Sequence, residues 1–467
     1  MGIHLLDLPN EVLSLVCAEF APPDYSVRFK PGATLWSISL TCSALRDVAV
    51  PFMFGPVACQ RREEPCLLRL LVQRPYIARS IRRMWFDASG GSGGRGAGNC
   101  RPRILSGRAS DARFADEHIQ NDASWSSSLP GSGTTSITSD AVAEPGDAAA
   151  IKQMSSAEYT AYALTKLPRL EKLYLNSPLL AGDALLHHPG RQDLFSFPSL
   201  LSIGDRDCPA ADMLSLSHII RRAPRLREVT ACLPPPPPRP ADGETAGSVV
   251  VATSASVTHL DLRNACCSQN DDDDGGQLLA RILAGLPSLS SLTFQQCACP
   301  RAHVAPRDLC AAIAAKADTL QELSLDLEAN VVDSSSTSST SSSTSTGSSP
   351  SPPEDALTLS FTRMRALRRL RIRASNALYG HEKHHHHQPA SADRGIDFSV
   401  LLPPQIEDLT VDFSRAEALP RDDFLRLARA APLSFPSLRR LAAGGAFAND
   451  DDADVVAAFA AAGIKVY

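Results

Sequence analysis

Aromatic residues are scarce in this chain, at 6% of 467 positions. With 35 prolines and long Ser- and Gly-rich tracts, that scarcity excludes a chain packed compactly from end to end. Charge of one sign is lacking too. The formal net charge is only −5, so no global field recruits nucleic acid or an anionic membrane. Twelve cysteines are scattered without a paired framework, which fits a reducing compartment. No run approaches the ~18 uninterrupted apolar residues of a membrane span. The N-terminus carries Asp7 and Glu11 but no basic signal segment, and Leu6 stands where myristoylation at Gly2 wants Ser or Thr. These absences predict a soluble protein of the cytoplasm or nucleus, with neither a membrane nor a nucleic-acid partner.

What is present begins with the stretch from Leu5 to Val57. Leu8, Val12, Leu13, Val16 and Phe20 recur at helical spacing, and Pro9 suits the first position of that helix. A loop with Pro22, Pro23 and Pro31 ends it. Leu35, Trp36, Ile38 and Leu40 predict a second helix. Ser43 is the expected N-cap of a third, which carries Leu45, Val48, Ala49 and Phe52. Three helices in about 50 residues bury little of their own surface, so leftover apolar faces need a partner.

Leu8-Pro9-x-Glu11-Val12-Leu13-x-x-Val16, followed by Leu40-x-Cys42-x-x-Leu45-x-x-Val48-Ala49, resembles an F-box. The chain departs from the family in having Leu45 where many members carry Trp, and in a longer Asp24–Thr34 loop. The resemblance implies docking onto the Skp adaptor of a cullin–RING ubiquitin ligase, with the downstream region choosing a protein substrate. The implied adaptor-facing and core residues are Leu8, Pro9, Glu11, Val12, Leu13, Val16, Leu40, Leu45 and Val48. From the residues alone, a generic helical cap on a repeat domain is the alternative.

Downstream, Leu67–Val72 predicts a short helix ending before Pro75, and Ile81-x-x-Met84-x-Phe86 introduces a spacing that recurs. It returns at Leu170, Val257, Leu289, Leu320, Leu367 and Ile406, with weaker copies at Leu200, Leu226 and Leu438. Pro168, Pro198, Pro224, Pro287 and Pro436 mark turns before many of these copies. Most separations are about 26 to 32 residues, within or just beyond the leucine-rich-repeat period. One strand plus a return helix cannot bury its face until neighbours stack on it. Residues 277–286, 309–316 and 424–430 read as such helices. The resemblance to leucine-rich repeats is strong in the LxxLxL core, but of the later Asn/Cys positions only Cys297 is filled. An ordinary α/β domain with coincidental spacing is the alternative.

The expected fold is therefore α/β: an N-terminal three-helix F-box, then an irregular leucine-rich-repeat solenoid with disordered insertions. Residues 1–60 are assigned to the F-box, and 61–88 to a linker helix and the first repeat strand. Residues 89–150 and the Ser/Thr/Pro-rich 334–355 are assigned to insertions. Residues 151–333 and 356–467 are assigned to repeats, the latter with a C-terminal cap. A polyproline II segment is expected at Pro234–Pro240.

Motifs that suggest chemistry are each better explained otherwise. Gly91-x-Gly93-Gly94-x-Gly96 lacks the helix and acidic residue of a dinucleotide site. His381 and His384–His387 lack carboxylate or thiolate ligands at metal spacing. Asp271–Asp274 and Asp450–Asp452 lack a calcium-loop pattern, and Cys297-x-Cys299 with Cys266-Cys267 lacks zinc spacing. No P-loop, nucleophile elbow, kinase set or HExxH is present, so the expectation is a non-catalytic protein without cofactor.

The basic run Arg363–Arg373 suggests a phosphate patch, but the repeat register answers most of its charge. Aligned copies set Arg369 between Glu322 and Asp408, Arg373 between Asp326 and Asp412, and Arg368 beside Glu407. Arg371, between Ser324 and Thr410, is then the one left for a ligand. Tyr174, Asp261, Arg369, Arg371 and Arg373 are the candidate substrate contacts. The overall reading is a ubiquitin-ligase substrate receptor, with a repeat scaffold lacking any ubiquitin link as the alternative.

Overall fold

The computed structural model describes residues 7–21, 33–60, 64–87, 156–176, 196–204, 213–232, 253–265, 274–296, 306–327, 360–373, 398–412, 421–444 and 452–467. Residues Met1–Gly90 and Ser155–Tyr467 belong to one compact unit, and residues 91–154 lie outside the described residues.

Three helices open the first unit: α1 (Asn10–Glu19), α2 (Ala33–Thr41) and α3 (Ser43–Phe54). Pro9 is the N-cap of α1 rather than its first residue. Its extended ψ of 147° lies outside the helix, while its carbonyl accepts the amides of Val12 and Leu13. The third helix is likewise shifted from expectation by one residue. Cys42, not Ser43, caps α3, with extended backbone and no side-chain hydrogen bond. Cys17, Leu35, Ala49 and Met53 meet at the centre of the bundle, with Ile38, Val48, Phe52 and Phe54 around them.

The remaining elements build one sheet of twelve parallel strands in chain order among the described residues. First come β1 (Pro56–Gln60), α4 (Glu64–Gln73), α5 (Pro75–Ser80), β2 (Arg83–Asp87), α6 (Ser156–Thr165), β3 (Lys172–Asn176) and β4 (Ser202–Ile203). Then α7 (Met213–Arg222), β5 (Glu228–Cys232), β6 (His259–Ala265), α8 (Asp274–Ala284), β7 (Ser291–Gln296), α9 (Pro306–Ala314) and β8 (Glu322–Asp326). Last are β9 (Arg369–Arg373), α10 (Phe398–Leu401), β10 (Asp408–Asp412), α11 (Arg421–Ser434), β11 (Arg440–Gly444), α12 (Ala453–Ala461) and β12 (Lys465–Val466). The fold is α/β with a parallel sheet. One boundary moves: β1 pairs in the sheet, so the first strand precedes residues 61–88 instead of lying within them.

The turns before the strands explain the spaced prolines. Leu170 N–H donates to the Leu167 carbonyl, and the same three-residue bond joins Leu200 to Phe197, Leu226 to Ala223, Leu289 to Leu286 and Leu438 to Phe435. In each, proline follows the acceptor, the turn position whose φ it presets. The turn delivers a buried leucine, and the strand then alternates. In β7, β8 and β10 every second residue is buried and the intervening ones are partly exposed. Parallel sheets are usually covered on both faces and read as continuous apolar runs. This alternation instead leaves one face of the sheet toward solvent.

Among the described residues, Lys316 is the buried exception among lysines and arginines. It sits in the turn after α9, and its Nζ donates to the Leu286 carbonyl 3.0 Å away, tying one turn to the preceding one. Burial lowers its pKa from the ordinary lysine value. The folded state therefore releases this proton at lower pH than the unfolded chain. Stability contributed by this group rises with pH between the depressed folded pKa and the ordinary unfolded value. Urea unfolding of the wild type should show this rise relative to Lys316→Met, and parallel pH profiles would contradict it.

Candidate functional site

Two surfaces collect the candidate residues. The first is on α1 and α2. Leu13 and Leu45 are buried and Val48 packs against the bundle core, so these three hold the module together rather than face a partner. Pro9, Glu11, Val12, Val16 and Leu40 are exposed, and Leu8 is partly exposed. Leu15, which sequence reasoning did not single out, is 69% exposed, and Leu40 is 57% exposed. Val12, Leu15 and Val16 lie at i, i+3 and i+4, with Phe20 one turn on, so they share one face of α1. Trp36 and Leu40, at i and i+4, share a face of α2.

Ten large apolar residues are exposed among the described residues: Val12, Leu15, Val16, Phe20, Trp36, Leu40, Tyr76, Leu433, Val456 and Tyr467. The first six lie between residues 12 and 40. Scattered apolar residues need no explanation, but this concentration on two short helices points to a covered surface.

The second surface is the open face of the sheet. Its register places Glu322, Arg369 and Asp408 side by side, and also Asp326, Arg373 and Asp412. Arg368 meets Glu407 at 2.5 Å, Arg369 pairs with Glu322, and Arg373 meets Asp326 at 3.7 Å. Arg371 is not left for a ligand. Its guanidinium reaches diagonally to Asp412, with Nη2 at 2.7 Å and Nε at 2.9 Å. Asp408 is engaged by Arg440 at 2.5 Å instead of by Arg369. A long guanidinium spans one strand and two residues, so strand register fixes the row but not the partner.

Asp261 is likewise answered internally, by Arg263 of its own strand at 3.0 Å. From Arg368 to Arg373 the basic run is thus a ladder of exposed ion pairs, weak individually and screened by salt. Arg371→Ala should shift urea unfolding by less than about 1 kcal/mol. A loss of several kcal/mol would instead show a strongly cooperative network.

Tyr174 stands apart from the ladder. Its ring stacks on Trp85 with centroids 4.4 Å apart and planes 9° from parallel. The two residues are register partners on β2 and β3. Sequence reasoning placed Met84 and Phe86 in the core but attached no role to Trp85 between them.

Among the described residues, no group of three or more His, Cys, Asp or Glu could hold a metal ion. No described helix is long and apolar enough to cross a membrane. The Gly91–Gly96 motif, the histidine run from His381, the two cysteine pairs, Pro234–Pro240 and residues 334–355 lie outside the described residues. So do Asp271–Asp273, Asp450 and Asp451, whereas Asp274 begins α8 and Asp452 caps α12. No protein-family model matches the sequence, and no curated protein matches it.

Proposed function

We propose that the chain is the substrate-receptor subunit of an SCF-type ubiquitin ligase. In this reading α1–α3 are an F-box that binds the Skp adaptor, and the sheet with its return helices is an irregular leucine-rich-repeat solenoid that holds a protein substrate. The observation that carries the reading is the crowding of exposed apolar residues onto α1 and α2. A helical cap serving only to close the sheet would bury those faces against its neighbours. A docking module keeps them outward until a partner covers them.

The receptor does no chemistry of its own. Its contribution is proximity: the substrate is held at one end of the chain and the ligase at the other, so transfer becomes effectively intramolecular. No cofactor is needed for that role. The test is co-elution of the full-length chain with the Skp adaptor and cullin in size-exclusion chromatography. The ternary species is expected with the wild type and lost with Leu8→Ala/Pro9→Ala, which should keep the wild-type circular dichroism spectrum. Co-elution of both proteins alike, or of neither, would leave a repeat scaffold with no link to ubiquitin.

A further inference from the structure

We propose that the leading edge of the sheet, where the turns enter the strands, binds the sugar–phosphate backbone of a nucleic-acid duplex. The proposal goes beyond the receptor reading above and does not rest on it.

A ladder of backbone bonds builds this edge. The Leu201 N–H donates to the Glu171 carbonyl at 2.8 Å, the Arg227 N–H to Leu201 at 2.8 Å and the Thr258 N–H to Arg227 at 3.0 Å. The same bond continues through Ser290, Gln321, Arg368 and Glu407 to Arg439. The residue just before each strand therefore stands in one row, and the turns that precede it line up along the same edge.

Arginine gathers there. Arg169 and Arg225 hold the same position in the turns before β3 and β5, directly after Pro168 and Pro224. Arg227 stands in the row itself. Arg363 and Arg365 lie in the turn before β9, and Arg439 precedes β11. All six side chains are exposed. Among the described residues none of them has a carboxylate partner.

The open face differs, because carboxylates on neighbouring strands meet its arginines between β8 and β11. On the edge, Glu171 is engaged by Arg82 and Glu407 by Arg368. Of the described carboxylates in these turns, only Asp318, between the two arginine groups, is outside an ion pair. Like charges gathered without counter-charge oppose the folded state, and a bound polyanion relieves that opposition. The net charge of −5 averages over the whole chain and hides this segregation. The expectation of no nucleic-acid partner rested on that average.

Length and chemistry select the ligand. From the turn before β3 to the turn before β11 is eight strand spacings, about 38 Å. That exceeds the reach of one anionic group and is close to one turn of a duplex, about 34–36 Å. Guanidinium forks match phosphate oxygens bidentately. A protein partner needs apolar anchors at the interface centre. None of the exposed large apolar residues lies in the turns before β3 to β11. A single strand needs exposed rings on which its bases stack. The described aromatic residues of these turns, Phe197, Phe361 and Phe435, are buried. A duplex presents its phosphates outward and asks only for charge, which favours it here.

Fluorescence anisotropy on the full-length chain, without adaptor, tests the proposal. The probes are fluorescein-labelled DNA duplexes of two unrelated sequences, an oligothymidylate and a polyglutamate peptide. Both duplexes should bind alike, with log affinity falling linearly against log salt. Arg225→Ala/Arg227→Ala should weaken both about tenfold and make that slope shallower by about 2. Arg363→Ala/Arg365→Ala should do the same, so a folding defect in one variant, read by circular dichroism, leaves the other to decide. Arg440→Ala, which removes a cation from the open face, should bind like the wild type. No duplex binding, unchanged affinity in both edge variants, or an equal loss in Arg440→Ala would overturn the proposal. So would tighter binding of oligothymidylate or of polyglutamate. Because no adaptor is present, these results and ligase co-elution stand or fall separately.

Discussion

Phe294→Ala is expected to destabilise the protein by about 3–5 kcal/mol. Phe294 lies in β7 with no exposed surface, and its register partners are Leu262 on β6 and Leu325 on β8. Both neighbours are themselves buried, so removing the ring opens a cavity in the middle of a row that cannot collapse from outside. Each strand pairs only with the strands before and after it in the chain. A void in the centre consequently weakens two pairings at once, whereas the two-residue β12 at the sheet's end has one neighbour to lose. A folded domain has roughly 5–15 kcal/mol in hand, so the loss is a large fraction of the whole. Urea unfolding followed by circular dichroism measures it. A cost below about 1.5 kcal/mol would show that the interior relaxes around the missing ring and that the rows are not close-packed.

The second large effect falls on binding and leaves folding alone. The double variant Leu15→Glu/Leu40→Glu should weaken adaptor binding at least about a hundredfold, as expected when two apolar contacts at an interface centre are replaced by charges. Both side chains are mostly exposed in the free chain, so the unfolding midpoint should barely move. Titration calorimetry with the purified adaptor and a urea melt of the same samples separate the two quantities. Full-strength binding by the double variant would remove the exposed faces of α1 and α2 from the interface. A collapsed melt would show that Leu15 or Leu40 supports the bundle itself.

The sheet was legible because its apolar spacing carries both the strand and its register. From Leu170 to Leu438 each LxxLxL copy begins just before a strand, and the aligned charges fall on the predicted rows. The two ends of the sheet carried no such signal. In β1, Pro56-Val57-Ala58-Cys59 offers small side chains where the pattern wants leucine, and β12 is two residues long. Pairing with a neighbour, not local preference, makes these strands.

The helical module was legible as helices but not as faces. The stripe through Leu8, Val12, Leu13, Val16 and Phe20 reads as one face of α1, yet of its members only Leu13 is buried, together with Cys17. When apolar residues surround most of a helix, spacing alone does not choose which side meets the core. Arg371 shows the corresponding limit for charge. Its row follows from the register, but its partner Asp412 depends on the length and freedom of the guanidinium arm. Trp85 and Tyr174 become a pair only through the pairing of β2 with β3, whose intervening chain is more than eighty residues long.

Hydrogen exchange of the full-length chain with and without the Skp adaptor tests the central claim most directly. The account predicts slowed exchange in α1 and α2, residues 10–19 and 33–41, with the strands from β2 to β11 unchanged. Protection spread over the sheet face, or none between residues 7 and 54, would contradict it.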